Sequence, residues 1–150
     1  MPMLRRTSAL ILSTTFVVAG GATAAQAQSS QASSPASTQR AISKNAMSKN
    51  TVSKNRTIAK HMVAKRGWTK AQYRCLVRLW SRESGWNHRA GSGSGAYGIP
   101  QALPGHKMAT KGRDWRTNPR TQIAWGLGYI KQRYGSPCRA WAHFQSRHWY

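Results

Sequence analysis

The chain has 150 residues, with 24 Lys and Arg against only two Asp and Glu, for a formal net charge of +22 at neutral pH. That length allows one small domain with extensions, and the charge favours polyanionic partners while leaving Glu83 and Asp114 as the whole supply of carboxylates. The five histidines (His61, His88, His106, His143, His148) are scattered and the two cysteines form no C-x-x-C pair, so neither a metal site nor a cofactor is expected.

At the N-terminus, Arg5 and Arg6 precede an apolar stretch from about Ser8 to Val18, and the small residues that follow end in Ala25-Gln26-Ala27. Residues 1–27 therefore read as an export signal cut after Ala27, with Ala24 as the alternative cut. The apolar run is well short of the roughly 20 residues that cross a bilayer. Export places Cys75 and Cys138 in an oxidising compartment, where an even count reads as one disulfide. Closing so long a loop contributes about 4 kcal/mol as an upper figure.

Residues 28–55 contain no Trp, Tyr or Phe and are rich in Ser, Lys and Asn. Within them Ile42-Ser-Lys-Asn, Met47-Ser-Lys-Asn and Val52-Ser-Lys-Asn repeat every five residues. A period of five matches neither helix nor strand, so the reading is a disordered basic linker, with a wall-binding tether as the alternative. The folded domain is expected over residues 56–150. Ile58, Met62 and Val63 predict a short helix capped by Asn55 and stopping at Gly67.

Thr69 and Gln72 have the capping-box spacing, which starts a helix at about Lys70, and Tyr73, Leu76, Val77 and Trp80 form its apolar stripe. Gly85 ends that helix and leaves Glu83 on its last turn. A loop rich in Gly and Ser follows to about Ala96. Asn118-Pro119 opens another helix, with Ile123, Leu127, Ile130 and Tyr134 on one face and Gly135 as its stop. A last short helix carries Trp141 and Phe144. The expected class is mainly α, with at most a small irregular hairpin.

Glu83 follows Leu79 and Trp80 at i−4 and i−3, so it extends the apolar stripe, and desolvation there should raise its pKa. The competing reading pairs it with Arg78, Arg82 or Arg89 for structure alone. Asp114, in Gly112-Arg113-Asp114-Trp115, reads as a turn residue held by local hydrogen bonds.

The segments Glu83-Ser84-Gly85-Trp86-Asn87, Ser94 to Gly105, Asp114-Trp115, Thr117-Asn118-Pro119 and Gln122-Ile123 closely resemble the actinobacterial branch of the lytic transglycosylases. That resemblance implies a lysozyme-like fold and peptidoglycan glycan strands as substrate, which with the export signal places the protein outside the cell at the wall. It also implies Glu83 as the acid/base, and a substrate-contacting turn from Ala96 to Gln101 that departs from relatives in Ile99-Pro100. Trp86, Tyr97 and Trp115 become candidates for stacking on sugar rings, against the alternative of core packing. Gln101 becomes a candidate hydrogen-bond partner of an acetamido group. The expected protein is a monomeric lyase with no specific nucleic-acid partner, and anionic wall polymers are candidate partners for its charge. The alternatives are a non-catalytic cationic wall-binding protein and a hydrolytic muramidase.

Overall fold

The computed structural model describes residues 35–150, so the export signal and the start of the linker lie outside the described residues. The chain is mainly helical: α1 (Pro35–Ala64), α2 (Lys70–Glu83), a 3-10 segment (Gly105–Lys111), α3 (Pro119–Tyr134) and α4 (Pro137–Arg147). Extended pairing among the described residues is confined to isolated bridges, Gly91 with Tyr97 and Tyr97 with Ala102.

The N-terminal extension differs from its sequence reading. From Pro35 onward it is helical, and one continuous helix replaces the linker and the short helix expected after Asn55. No Gly or Pro interrupts residues 36–64, so nothing stops propagation from the docked end. The five-residue repeat decides how far docking extends. At about 100° per residue each repeat turns by about 140°, so Ile42, Met47 and Val52 point in three directions. Only Val52 packs on the core, while Ile42 and Met47 remain 59% and 72% exposed. Asn55 is no cap either; it lies buried within α1 and its Nδ2 donates to the Trp86 carbonyl at 3.0 Å.

The other boundaries follow their local signals. Thr69 caps α2 by accepting from the Gln72 amide, but the return half of the capping box is diverted, since Gln72 Oε1 accepts from the Cys138 amide at 2.9 Å. That bond and the Cys75–Cys138 disulfide, with Cα atoms 4.9 Å apart, fasten the start of α4 to α2. Asn118 caps α3 through the Arg120 amide, and Gly135 ends it at φ 77°. Ser136 then caps α4, with Pro137 as its first residue.

The core joins Leu76, Leu79 and Trp80 of α2 to Ile123, Leu127 and Ile130 of α3, with Ala59 and Val63 from α1, Ala140 from α4, and Trp86 and Ile99 from the loop. A Cβ on Gly126 would stand 2.7 Å from Trp80 and 2.9 Å from Pro100, so glycine there is what lets α3 approach both. A second, smaller cluster of Ala102, Met108 and Trp115 supports the loop side, with Tyr97 and Trp125 against it.

Candidate active site

The site is built around the way α2 stops. Gly85 at φ 58° turns the chain out of the helix, and Trp86 follows at φ 68°, a left-handed conformation that a bulky residue rarely adopts. Three contacts hold it there. The Trp86 amide donates to the Trp80 carbonyl at 3.3 Å, its Nε1 donates to Ser81 Oγ at 3.2 Å, and its ring stands edge-on to Trp80 at 5.2 Å. Ser84 Oγ donates to the Ile99 carbonyl at 2.8 Å, which ties the 96–101 turn to the residue next to Glu83.

Glu83 is half-buried, and loss of water around it pushes its pKa up to about 7. Among the described residues its carboxylate forms no hydrogen bond or ion pair, so the reading that pairs it with Arg78, Arg82 or Arg89 fails. The group that it does influence is Tyr150. Burial and the nearby Glu83 raise the Tyr150 phenol well above its ordinary range, which keeps that hydroxyl neutral. The hydroxyl accepts from Trp80 Nε1 and donates to the Pro100 carbonyl, both at 2.8 Å.

Gln122 fixes the turn from below. It is fully buried; its Oε1 accepts from the Ile99 amide at 2.9 Å, and its Nε2 donates to the carbonyls of His88 at 2.9 Å and Trp115 at 2.8 Å. One side chain thus binds three loop segments. A Cβ on Gly98 would meet Gln122 Oε1 at 2.5 Å, and its φ is 74°, so both space and backbone require glycine. Ile99-Pro100 fits here by packing: Ile99 is in the core, and Pro100 lies against Gly126 while its carbonyl receives Tyr150.

Beside this turn lies a cavity of about 520 Å³, bordered by Pro100, Gln101 and Leu103 on one side and by Trp125, Tyr129 and Tyr150 on the other. Gln101 lines it. Its Nε2 is committed to the Gly98 carbonyl at 2.9 Å, which leaves Oε1 as the atom without a protein partner. The aromatic residues expected to stack on sugar lie elsewhere. Trp86 is fully buried and its ring is spent on Trp80 and Arg56, so it offers no face to a ligand. Trp115 is 9% exposed, with Tyr97 edge-on at 5.4 Å and the Arg116 guanidinium over its ring at 4.6 Å. Tyr97 packs on that ring and donates its hydroxyl to the Arg116 carbonyl at 2.9 Å. All three hold the loops and none borders this cavity.

The rings that do border it include Trp125 and Tyr129, stacked in parallel at 5.4 Å, and the half-exposed Trp149. Sequence reasoning passed over them. A signal was there, because Trp125 and Tyr129 are four apart on α3 and fall outside its Ile123, Leu127, Ile130, Tyr134 stripe. No local pattern marks Tyr150.

Asp114 is exposed and occupied. Its two oxygens accept from Asn118 Nδ2 at 2.6 Å and Thr121 Oγ1 at 2.7 Å, and these bonds hold its pKa below the ordinary carboxylate value. It closes the turn before α3.

Glu83 does not itself line the cavity beside the turn and reaches it through Tyr150, whose phenol feels its charge. A helical domain with one desolvated glutamate at the end of a helix, next to a serine that ties down a neighbouring turn, is of the lysozyme-like class. The chain belongs to the transglycosylase SLT domain family, which matches residues 62–145. Members of that family are lytic transglycosylases that act on peptidoglycan. No curated protein and no solved structure matched the chain.

Proposed function

We propose that this protein is exported and cleaves the bond between the muramic sugar and the next N-acetylglucosamine in peptidoglycan strands, acting as a monomer with Glu83 as its single acid/base. Glu83 gives its proton to the bridging oxygen as the glycosidic bond breaks, and the substrate's own acetamido oxygen stabilises the positive anomeric carbon. The carboxylate then takes the proton of the C6 hydroxyl on the same sugar, whose oxygen closes on the anomeric carbon. The product is a 1,6-anhydro end, and no water is consumed.

The observation that carries this reading is Glu83's pKa of about 7 in the absence of any partner. Such a group is protonated often enough near neutrality to act as an acid and basic enough to recover the proton afterwards. Asp114 is the only other side-chain carboxylate, and its commitment to Asn118 and Thr121 weighs against a hydrolytic muramidase with two working acids. Mass analysis of digested peptidoglycan tests the proposal. Anhydro ends are expected; free reducing ends would overturn the lyase assignment, and the absence of any glycan fragment would leave a cationic wall-binding protein as the better account.

A further inference from the structure

Beside α1, and sharing no lining residue with the cavity bordered by Gln101 and Tyr150, a groove of about 440 Å³ is bordered by Lys49, Arg56 and Lys60 together with Ser53, Thr57 and Tyr73. Lys49, Ser53, Arg56 and Lys60 fall at i, i+4, i+7 and i+11, so the helix places three cations in one row. No acidic side chain neutralises them. Neither carboxylate of the chain is paired with them, since Glu83 has no ion pair and Asp114 is bound to Asn118 and Thr121. Arg56 is shared with the domain, since its guanidinium lies over the Trp86 ring at 5.7 Å and its Nη2 donates to Ser81 Oγ at 3.3 Å, while its buried Nε has no acceptor among the described residues; Lys49 and Lys60 are the exposed charges of the row.

The hydroxyls narrow the ligand. Thr57 Oγ1 donates to the Ser53 carbonyl at 3.1 Å and Tyr73 to the Arg56 carbonyl at 3.1 Å, so both protons are committed and both oxygens remain as acceptors. A ligand that satisfies the groove carries repeated negative charge for the cations and hydroxyl donors for these oxygens. Tyr73 is the only aromatic ring along the groove and is partly buried, so it provides no platform for stacked bases of the kind single-stranded nucleic acid uses.

We infer that the α1 groove is a binding site for a polyol-phosphate polymer, one that holds the protein on the wall apart from its glycan cleft. The inference rests on the wall-directed reading above only for the source of that polymer.

The full exported chain is titrated with a glycerol-phosphate polymer and, separately, with single-stranded DNA, over a range of salt. Lys49→Gln/Lys60→Gln is compared with Lys70→Gln/Lys131→Gln, which removes the same charge from exposed positions outside the groove. The groove pair is expected to weaken polymer binding at least about tenfold and to lower the slope of log affinity against log salt by about 2, while the control pair leaves the slope nearly unchanged. Equal losses in the two pairs would mean a diffuse field and no site. Tighter, groove-dependent binding of DNA would replace the polyol phosphate by nucleic acid. Turnover of soluble glycan fragments should be the same in both pairs and the parent; a fall confined to the groove pair would make the groove part of the glycan track and overturn the inference. Polymer binding should persist in Glu83→Gln, so its failure and that of the catalytic reading are distinguishable.

Discussion

The two turns that carry the chain's two carboxylates have opposite physics. At the end of α2, Glu83 has lost water and gained no partner, and its pKa rises to about 7. At the turn before α3, Asp114 keeps its water and gains two hydrogen bonds, and its pKa falls. One region spends stability to keep a proton available, whereas the other uses its charge to hold a loop. Acid/base function follows the missing partners rather than the residue type.

The largest test of that contrast is Glu83→Gln, which keeps the shape and removes the titratable proton. Turnover on purified peptidoglycan is expected to fall by about 10² to 10⁴, with wall binding retained in a pull-down. Full activity in that variant would end the assignment.

The pH dependence should show the same asymmetry. Because the protonated form of Glu83 starts the reaction, kcat/KM is expected to fall as pH rises through about 7. An essential ionised Asp114 would add a second limb at low pH, where its activity would be lost on protonation. A rate profile that stays level through the acid range, down to where the fold itself fails, fits one acid working alone.

Tyr150→Phe probes the surroundings that desolvate Glu83. It leaves the buried Trp80 Nε1 without its acceptor, and the fold is expected to lose about 1–3 kcal/mol in denaturant titrations. The effect on kcat should exceed that on KM if the tyrosine shapes the site around the acid, whereas equal effects would indicate a wall of the cleft only.

Stability against pH gives a further contrast with the sign fixed by linkage. Glu83 is ionised in the unfolded chain above about pH 4.5 but stays protonated in the fold up to about 7, so ionisation works against folding across that interval. Glu83→Gln should match the parent below that interval and exceed it at pH 8 by about 1 kcal/mol, after discounting for a half-exposed group. Asp114 has the reverse sign: its contribution is present above its unfolded pKa and is lost as pH falls through the folded one. Asp114→Asn, the mildest change, should therefore lower Tm slightly at pH 7 and leave turnover close to that of the parent. A turnover collapse there would make Asp114 a participant in the chemistry.

Local chemistry alone determined much of this. The caps at Thr69 and Asn118 and the stops at Gly85 and Gly135 set helix boundaries because each acts within one turn of chain. The raised pKa of Glu83 was legible too, since its i−3 and i−4 neighbours, Trp80 and Leu79, share its helix face. Tertiary structure decided what depends on distant partners. Asn55 looked like a cap until the Trp86 carbonyl claimed it from 31 residues away, and that docking continued α1 through what reads as a linker. Trp86 and Trp115 were open between sugar platform and core packing, because burial is set by what packs over a ring, and Arg56 and Arg116 cover these two. Gln122, read only as part of a motif, proved to bind three loop segments, and Tyr150 reached Trp80 across 70 residues. Such partners leave no periodic trace in sequence, because hydrogen bonds between remote segments depend on where the helices bring them and not on spacing along the chain.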